Sequence, residues 1–252
     1  MKTKFVFVVI TGMALFLAAC SEKSEVADEV LQDEVLQTLD PTKSSELAEL
    51  VGDSCNFTAT LNEEEVEGLL AMREEEKLAR DVYRAFYAEY GHIVFSNISK
   101  SEDAHMTAVL YMINGFGLID PASDEEGAFN ADPFPELYAQ LTEQGSASLV
   151  EALKVGAFIE EYDIADLRDH LAETENETIQ RVYGNLLRGS TFHLRAFTNA
   201  LSRLGETYTP GILTQEDYED LLLNDNTDSD DSEDDGTFVP GTGVCDGTGP
   251  NA

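Results

Sequence analysis

Positive charge is scarce in this sequence: 15 Lys and Arg stand against 50 Asp and Glu in 252 residues, a formal net charge of -35. A surface of that sign repels nucleic-acid phosphates and anionic lipid, which argues against nucleic-acid binding and favours cations or basic partners. Cysteine is scarce as well, with only Cys20, Cys55 and Cys245. Strand-like alternation of useful length is missing, and no segment repeats at a fixed period, which leaves helix as the regular element. The apolar run from Phe5 to Leu17 is too short to span a bilayer comfortably. What is present is a 42 % apolar content, enough for a real core in one or two domains.

The first twenty residues read as an export signal: Lys2 and Lys4, the apolar run, then small residues up to Cys20. The ending Leu17-Ala18-Ala19-Cys20 resembles the bacterial lipobox, in which cleavage precedes the cysteine and the thiol is lipidated. That resemblance implies a membrane partner through Cys20 and a lipid anchor in the cell envelope, on the outer membrane if the host is Gram-negative, since Ser rather than Asp follows the cysteine. In an oxidising compartment Cys55 and Cys245 are then candidates for a disulfide tying the tail back to the domain. The expected layout is a signal peptide over 1–19, an acidic tether over 20–54, a helical domain over 55–206 and an acidic, Gly-rich tail over 207–252. Within the tail, "NDNTDSDDSEDDG" at 224–236 is a low-complexity solvated run. Asp231, Glu233, Asp235 and Gly236 mimic the start of a calcium loop, but position twelve is Thr242 rather than Glu.

Four long helical patterns fill the central region. The first runs from N-cap Asn62 to Tyr90, with Gly91 as its stop, and the second from about Ser96 to Asn114. The third runs from Ser148 to about Ala172, and the fourth from Thr174 to about Leu204, each with an acid three residues after its cap. Between the second and third lies a long connection, 118–146, with one short helix around Pro135 to Thr142. A further short helix is expected at 214–223. Short 1–2 and 3–4 turns with one long 2–3 crossover are the connectivity of ferritin-like bundles, so the expected fold is all-α, a ferritin-like four-helix bundle flanked by disordered acidic segments.

Side chains at i, i+3, i+4 and i+7 share a helix face, so polar residues can be tested against the apolar stripe. On the second helix the stripe reads Ile98, Glu102, His105, Val109, Met112 and Phe116. On the third it reads Leu153, Ala157, Glu160, Ile164, Leu167 and Leu171. On the fourth it reads Ile179, Leu186, Ser190, His193 and Phe197, and on the first Val66, Leu69 and Arg73 lead to Glu76, Arg80 and Tyr83. Each helix thus turns a ligand-type side chain inward near its middle. Buried unpaired carboxylates cost several kcal/mol, so these residues require protons, basic partners or a metal. Mixed carboxylate and imidazole donors suit iron, manganese or zinc.

Blander readings compete. Glu102 lies three after Ser99 and could be a capping acid, and either histidine alone could be a hydrogen-bonded core residue. A one-residue phase error would exchange Glu160 for Glu161. Glu74 and Glu75 read as solvated, and His92 and His170 as helix-end residues. Arg73, Lys77 and Arg80 could neutralise Glu76 and Glu102 in a metal-free salt-bridge network. That is the alternative function: a structural or interaction lipoprotein with a cation-collecting tail.

The segments "MREEEKLARDVY" (72–83), "FSNISKSEDAH" (95–105), "LKVGAFIEEYDIADL" (153–167) and "LLRGSTFHLRAF" (186–197) resemble the ferritin-like family catalogued as domain of unknown function 2202. The stretch Glu76-Lys77-Leu78-Ala79-Arg80 is also similar to the rubrerythrin first-helix motif. The resemblance implies metal ligands at Glu76, Glu102, His105, Glu160 and His193, and iron or manganese in a mononuclear or dinuclear centre. Where a full di-iron set has Glu-x-x-His on its fourth helix, this sequence has Ser190-Thr191-Phe192-His193. Glu161 or Asp163 could compensate for that missing carboxylate. If redox-active, the protein would resemble a ferroxidase or a peroxide-reducing protein, with Tyr83 or Tyr183 supplying an electron or proton.

Overall fold

The computed structural model describes residues 57–223. The signal peptide, the tether, Cys20, Cys55, Cys245 and the acidic run after residue 223 lie outside the described residues. Six helices and no strand occur among those described: α1 Glu63–Tyr90, α2 Ile93–Gly115, α3 Phe134–Gly145, α4 Leu149–Glu173, α5 Glu177–Arg203 and α6 Gln215–Leu223. None of them is long and apolar enough to cross a membrane.

The helix limits follow from local chemistry. Asn62 and Glu65 form a reciprocal capping box at the start of α1, and Gly91, at φ 62°, ends it in the left-handed region that glycine adopts without strain. Ser148 caps α4 by accepting from the Glu151 N–H. Two starts differ from the sequence expectation. The second long helix begins at Ile93, a turn earlier than Ser96, with the His92 side chain accepting from the Val94 N–H. That puts Glu102 in mid-helix and removes its reading as a capping acid. The fourth is capped by Asn176, which accepts from the Thr178 and Ile179 N–H groups, while Thr174 closes α4 and donates to Glu65 at 2.6 Å.

The long helices form two hairpins, α1 with α2 and α4 with α5; α1 also packs on α4, and α2 on α5. Their apolar faces make two clusters. One gathers Val82, Phe86, Phe95, Leu153, Leu194 and Phe197, while the other gathers Leu69, Met72, Val109, Ile113, Leu167 and Leu186. On every one of the four helices the inward residue between these clusters is polar: Glu76, Glu102 with His105, Glu160, and Ser190 with His193. The bundle is thus two hydrophobic blocks separated by a charged layer. Burial of each large apolar side chain contributes about 1.5–3 kcal/mol, and these blocks carry a layer that would not hold itself together.

The crossover of 116–133 supplies partners for several buried charges of α1, among them Glu74, which the sequence reading left in solvent. It lies along α1, where Lys77 pairs with Asp81 and donates to the Glu125 carbonyl at 2.9 Å, and the Gly127 N–H donates to Asp81 at 2.9 Å. The Asn130 N–H donates to Glu74 at 3.2 Å, and Arg73 reaches Asp120 at 2.9 Å. Glu74 is therefore fully buried rather than solvated, and Glu75, at 3 % exposure, is buried too.

Candidate metal centre

Glu102 stands at the middle of the charged layer. Its Oε2 is 2.8 Å from His105 Nδ1 and its Oε1 is 2.8 Å from His193 Nδ1. Glu76 Oε2 accepts from His105 Nδ1 at 3.2 Å, and Glu160 Oε2 lies 3.3 Å from His193 Nδ1. The five residues named from the sequence thus come together from α1, α2, α4 and α5, all buried, with Glu102 at 1 % and Glu160 at 0 % exposure. Glu102, His105 and His193 present ligand atoms within 4.8 Å of one another, a buried group that could hold a metal ion.

On the His193 side proximity is not hydrogen bonding. His193 Nδ1 and Glu102 Oε1 are not aligned as donor and acceptor, and both lack a hydrogen-bond partner, as do Glu76 Oε1 and Glu160 Oε2. Each such buried atom costs about 1–3 kcal/mol, more when charged. The other nitrogen of His193, Nε2, lies 2.9 Å from Ser101 Oγ. If that nitrogen carries the proton, the Nδ1 lone pair faces two carboxylates, an arrangement that a cation between them relieves. Orphaned donors of this kind fit a metal better than a closed polar network.

The electrostatics carry the same strain. Burial raises Glu102, yet the His193 and His105 imidazoles outweigh it and hold the carboxyl well below the usual carboxylate range. Burial pushes Glu76 up to about 7 despite His105. Burial opposes charge on both histidines, but the carboxylates win: Glu76 and Glu102 put His105 well above its ordinary value, and Glu102 and Glu160 raise His193 to about 10. Without a metal, the cluster is neutralised only by retaining protons.

The basic residues go elsewhere. Arg73 pairs with Asp120, Lys77 with Asp81, and Arg80 with Asp81 and Asp103. Among the described residues no Lys or Arg pairs with Glu76 or Glu102, so the salt-bridge network of the alternative reading does not form around those acids. The phase question on α4 is also answered. Glu160 faces the centre and accepts from the Tyr83 hydroxyl at 2.6 Å. Its neighbour Glu161 instead accepts from the Tyr208 hydroxyl and from the N–H groups of Gly211, Ile212 and Leu213, fastening the segment after α5. Tyr183 is not at this centre; it lies near His170, Glu75 and Asp166.

Asp163 is the residue that sequence reasoning underweighted. It sits one turn after Glu160, is buried, and is raised well above the carboxylate range by burial and by Glu160, Glu76, Glu75 and Glu102. Its i+3 spacing from Glu160 was the available signal. Ser101 had none, because its role depends on which helix lies opposite.

Residues 65–225 match the family described as "Uncharacterized protein domain (DUF2202)". The chain belongs to that family. An uncharacterized protein of Methanocaldococcus jannaschii, MJ0754, is 48 % identical over 163 residues, spanning 64 % of this chain and 88 % of that protein. The crystal structure of hypothetical protein MJ0754 from Methanococcus jannaschii matches with a TM-score of 0.66 at 46 % identity, covering 68 % of this chain and 98 % of that one. The helical architecture is therefore shared with a relative whose solved chain is matched over 98 % of its length.

Proposed function

We propose that this is a ferritin-like metal-binding protein that holds iron or manganese between α1, α2, α4 and α5. The observation that carries the reading is Glu102, whose two oxygens each face a histidine Nδ1 at 2.8 Å. Around it the donors divide into two half-sites, Glu76 with His105 and Glu160 with His193. Glu76, Glu102, His105, Glu160 and His193 would hold the ion or ions, and Asp163 would supply the carboxylate that Ser190 does not. Carboxylate-rich sites with one imidazole per ion favour iron or manganese over thiophilic metals.

Iron or manganese held this way supplies one-electron chemistry toward oxygen or peroxide, the basis for a ferroxidase or peroxide-reducing role. The chain's own contribution is to keep the site dry between two apolar blocks and to fix protons beside it. Tyr83 holds its hydroxyl proton on Glu160 Oε1, and Ser101 orients the His193 ring through Nε2. Lipidation at Cys20 would place the protein in the cell envelope, and the acidic flanks would repel nucleic acid there as elsewhere.

The test is metal content by elemental analysis of untagged protein, wild type against His105→Ala and Glu160→Ala. Iron or manganese present in the wild type and lost in both variants is expected. Equal, near-zero metal in all three would defeat the reading. Consumption of oxygen or peroxide with ferrous iron then decides the redox role.

A further inference from the structure

A second polar group lies below the charged layer, toward the α1 N-terminus and the α4 C-terminus. A surface pocket there is lined by Glu64, Glu65, Gly68, His170, Glu173 and Tyr183. Tyr183 is 2 % exposed and its hydroxyl has no hydrogen-bond partner. Beside it, His170 Nε2 lies 3.0 Å from Asp166 Oδ2. Asp166 in turn neighbours Glu75, and Tyr183 lies close to both. Glu75 is buried with its Oε2 unpartnered, and Asp163 lies close to both Glu75 and Glu76. The rest of this end of the bundle is apolar, with Leu69, Met72, Leu167 and Ile179 closing it.

Glu75 Oε2 and Asp166 Oδ2 are both left without a hydrogen-bond partner, which is costly in a dry core. Such a pair is useful where a cation is handled. Resting on the metal-binding reading above, we propose that a divalent transition-metal ion reaches the centre through this pocket, passed from His170 and Asp166 to Glu75 and on to Glu76. The mouth, rich in Glu, concentrates cations, and a net charge of -35 supplies long-range attraction. The opposite end offers no comparable succession of donors, because Phe86, Phe95 and Phe197 fill it.

The experiment is stopped-flow uptake of Co2+ by the full metal-free chain, read by the absorption that appears on coordination. Glu75→Gln and Asp166→Asn keep the side-chain shapes and introduce no new charge; Asp166→Asn also removes the partner of His170, and Glu75→Gln, which leaves that pair intact, is the second variant that keeps the test decisive. Glu143→Gln, an equal charge change on exposed α3, is the control. Loading slowed about tenfold or more in Glu75→Gln and Asp166→Asn, with the final ion content and the control both unchanged, is the expected result. Wild-type loading rates in the two variants would overturn the route while leaving the central site intact. A reduced end point at unchanged rate would make the two residues ligands rather than a path, and overturn it as well. A wild-type chain that takes up no Co2+ would remove the metal-binding reading and the route with it.

Discussion

A Cβ added to Gly189 would stand 2.5 Å from Nε2 of His105. The α5 backbone is therefore the wall on which this imidazole rests, and the contact turns Nδ1 toward Glu76 and Glu102 at 3.2 and 2.8 Å. A glycine inside a helix costs about 0.5–1 kcal/mol relative to alanine, so its presence on α5 needs a reason, and the ring supplies one.

The same helix contains its own control. Gly184 has nothing within 4 Å of an added Cβ, so Gly184→Ala should stabilise the protein by about 0.5–1 kcal/mol. Gly189→Ala should instead lose the helix gain to ring displacement, destabilise by about 1 kcal/mol net, and weaken metal binding about 10- to 100-fold. Thermal melts and metal titration of the two variants check this. Equal behaviour of both would show that the ring does not depend on the glycine.

Glu160 and Glu161 are neighbours with separate duties. Glu161→Ala removes the acceptor for the Tyr208 hydroxyl and three backbone N–H groups. Charged hydrogen bonds of this kind contribute about 1.5–3 kcal/mol each, so the segment from Tyr208 to Leu213 should open, with faster amide exchange at Gly211, Ile212 and Leu213. Metal content should be unaffected. Glu160→Ala should do the reverse, losing metal while those amides stay protected.

Removing metal should make stability fall as pH rises. Folded Glu76 holds its proton up to about 7 against an ordinary 4.5, so below 4.5 its contribution is complete and it is lost through 7. His193, raised to about 10 from 6.5, acts in the same direction across 6.5 to 10. Glu102, held low, opposes this only in strong acid. Melting temperature in chelator should decline from pH 5 to 9, and added Mn2+ should restore more of it at pH 8 than at pH 6, because binding releases these protons. A flat or rising profile in chelator would contradict the cluster as described.

Much of this was legible in the sequence, for reasons that can be located. Asn62 with Glu65, Ser148 with Glu151, and Gly91 are strong local signals, and they gave the limits of α1 and the start of α4. The start of α2 was misplaced because its cap is a histidine, and that of α5 because Thr174 and Asn176 are both good caps and only packing against Glu65 assigns Thr174 to α4. Helical phase put Glu76, Glu102, His105, Glu160 and His193 on inward faces, since that needs only the 3.6-residue period. The destinations of Arg73, Lys77 and Glu74 were not legible. Their partners, Asp120, the Glu125 carbonyl and the Asn130 N–H, lie on an irregular crossover some fifty residues away whose path no local pattern specifies.

Asp163 separates a stabilising residue from a functional one most sharply. In the metal-free protein it is a buried acid facing Glu160, Glu76, Glu75 and Glu102, raised well above the carboxylate range by burial and by them. Asp163→Asn keeps its shape and removes that repulsion, so the melting temperature in chelator should rise, by a few degrees at pH 8 where the acid's cost is largest. As a ligand standing in for the carboxylate absent at Ser190, the same change should lower metal affinity about 10- to 100-fold. Stability and binding thus move in opposite directions, which a purely structural residue would not produce. A variant that melts lower in chelator yet binds metal like the wild type would mark Asp163 as part of the scaffold instead.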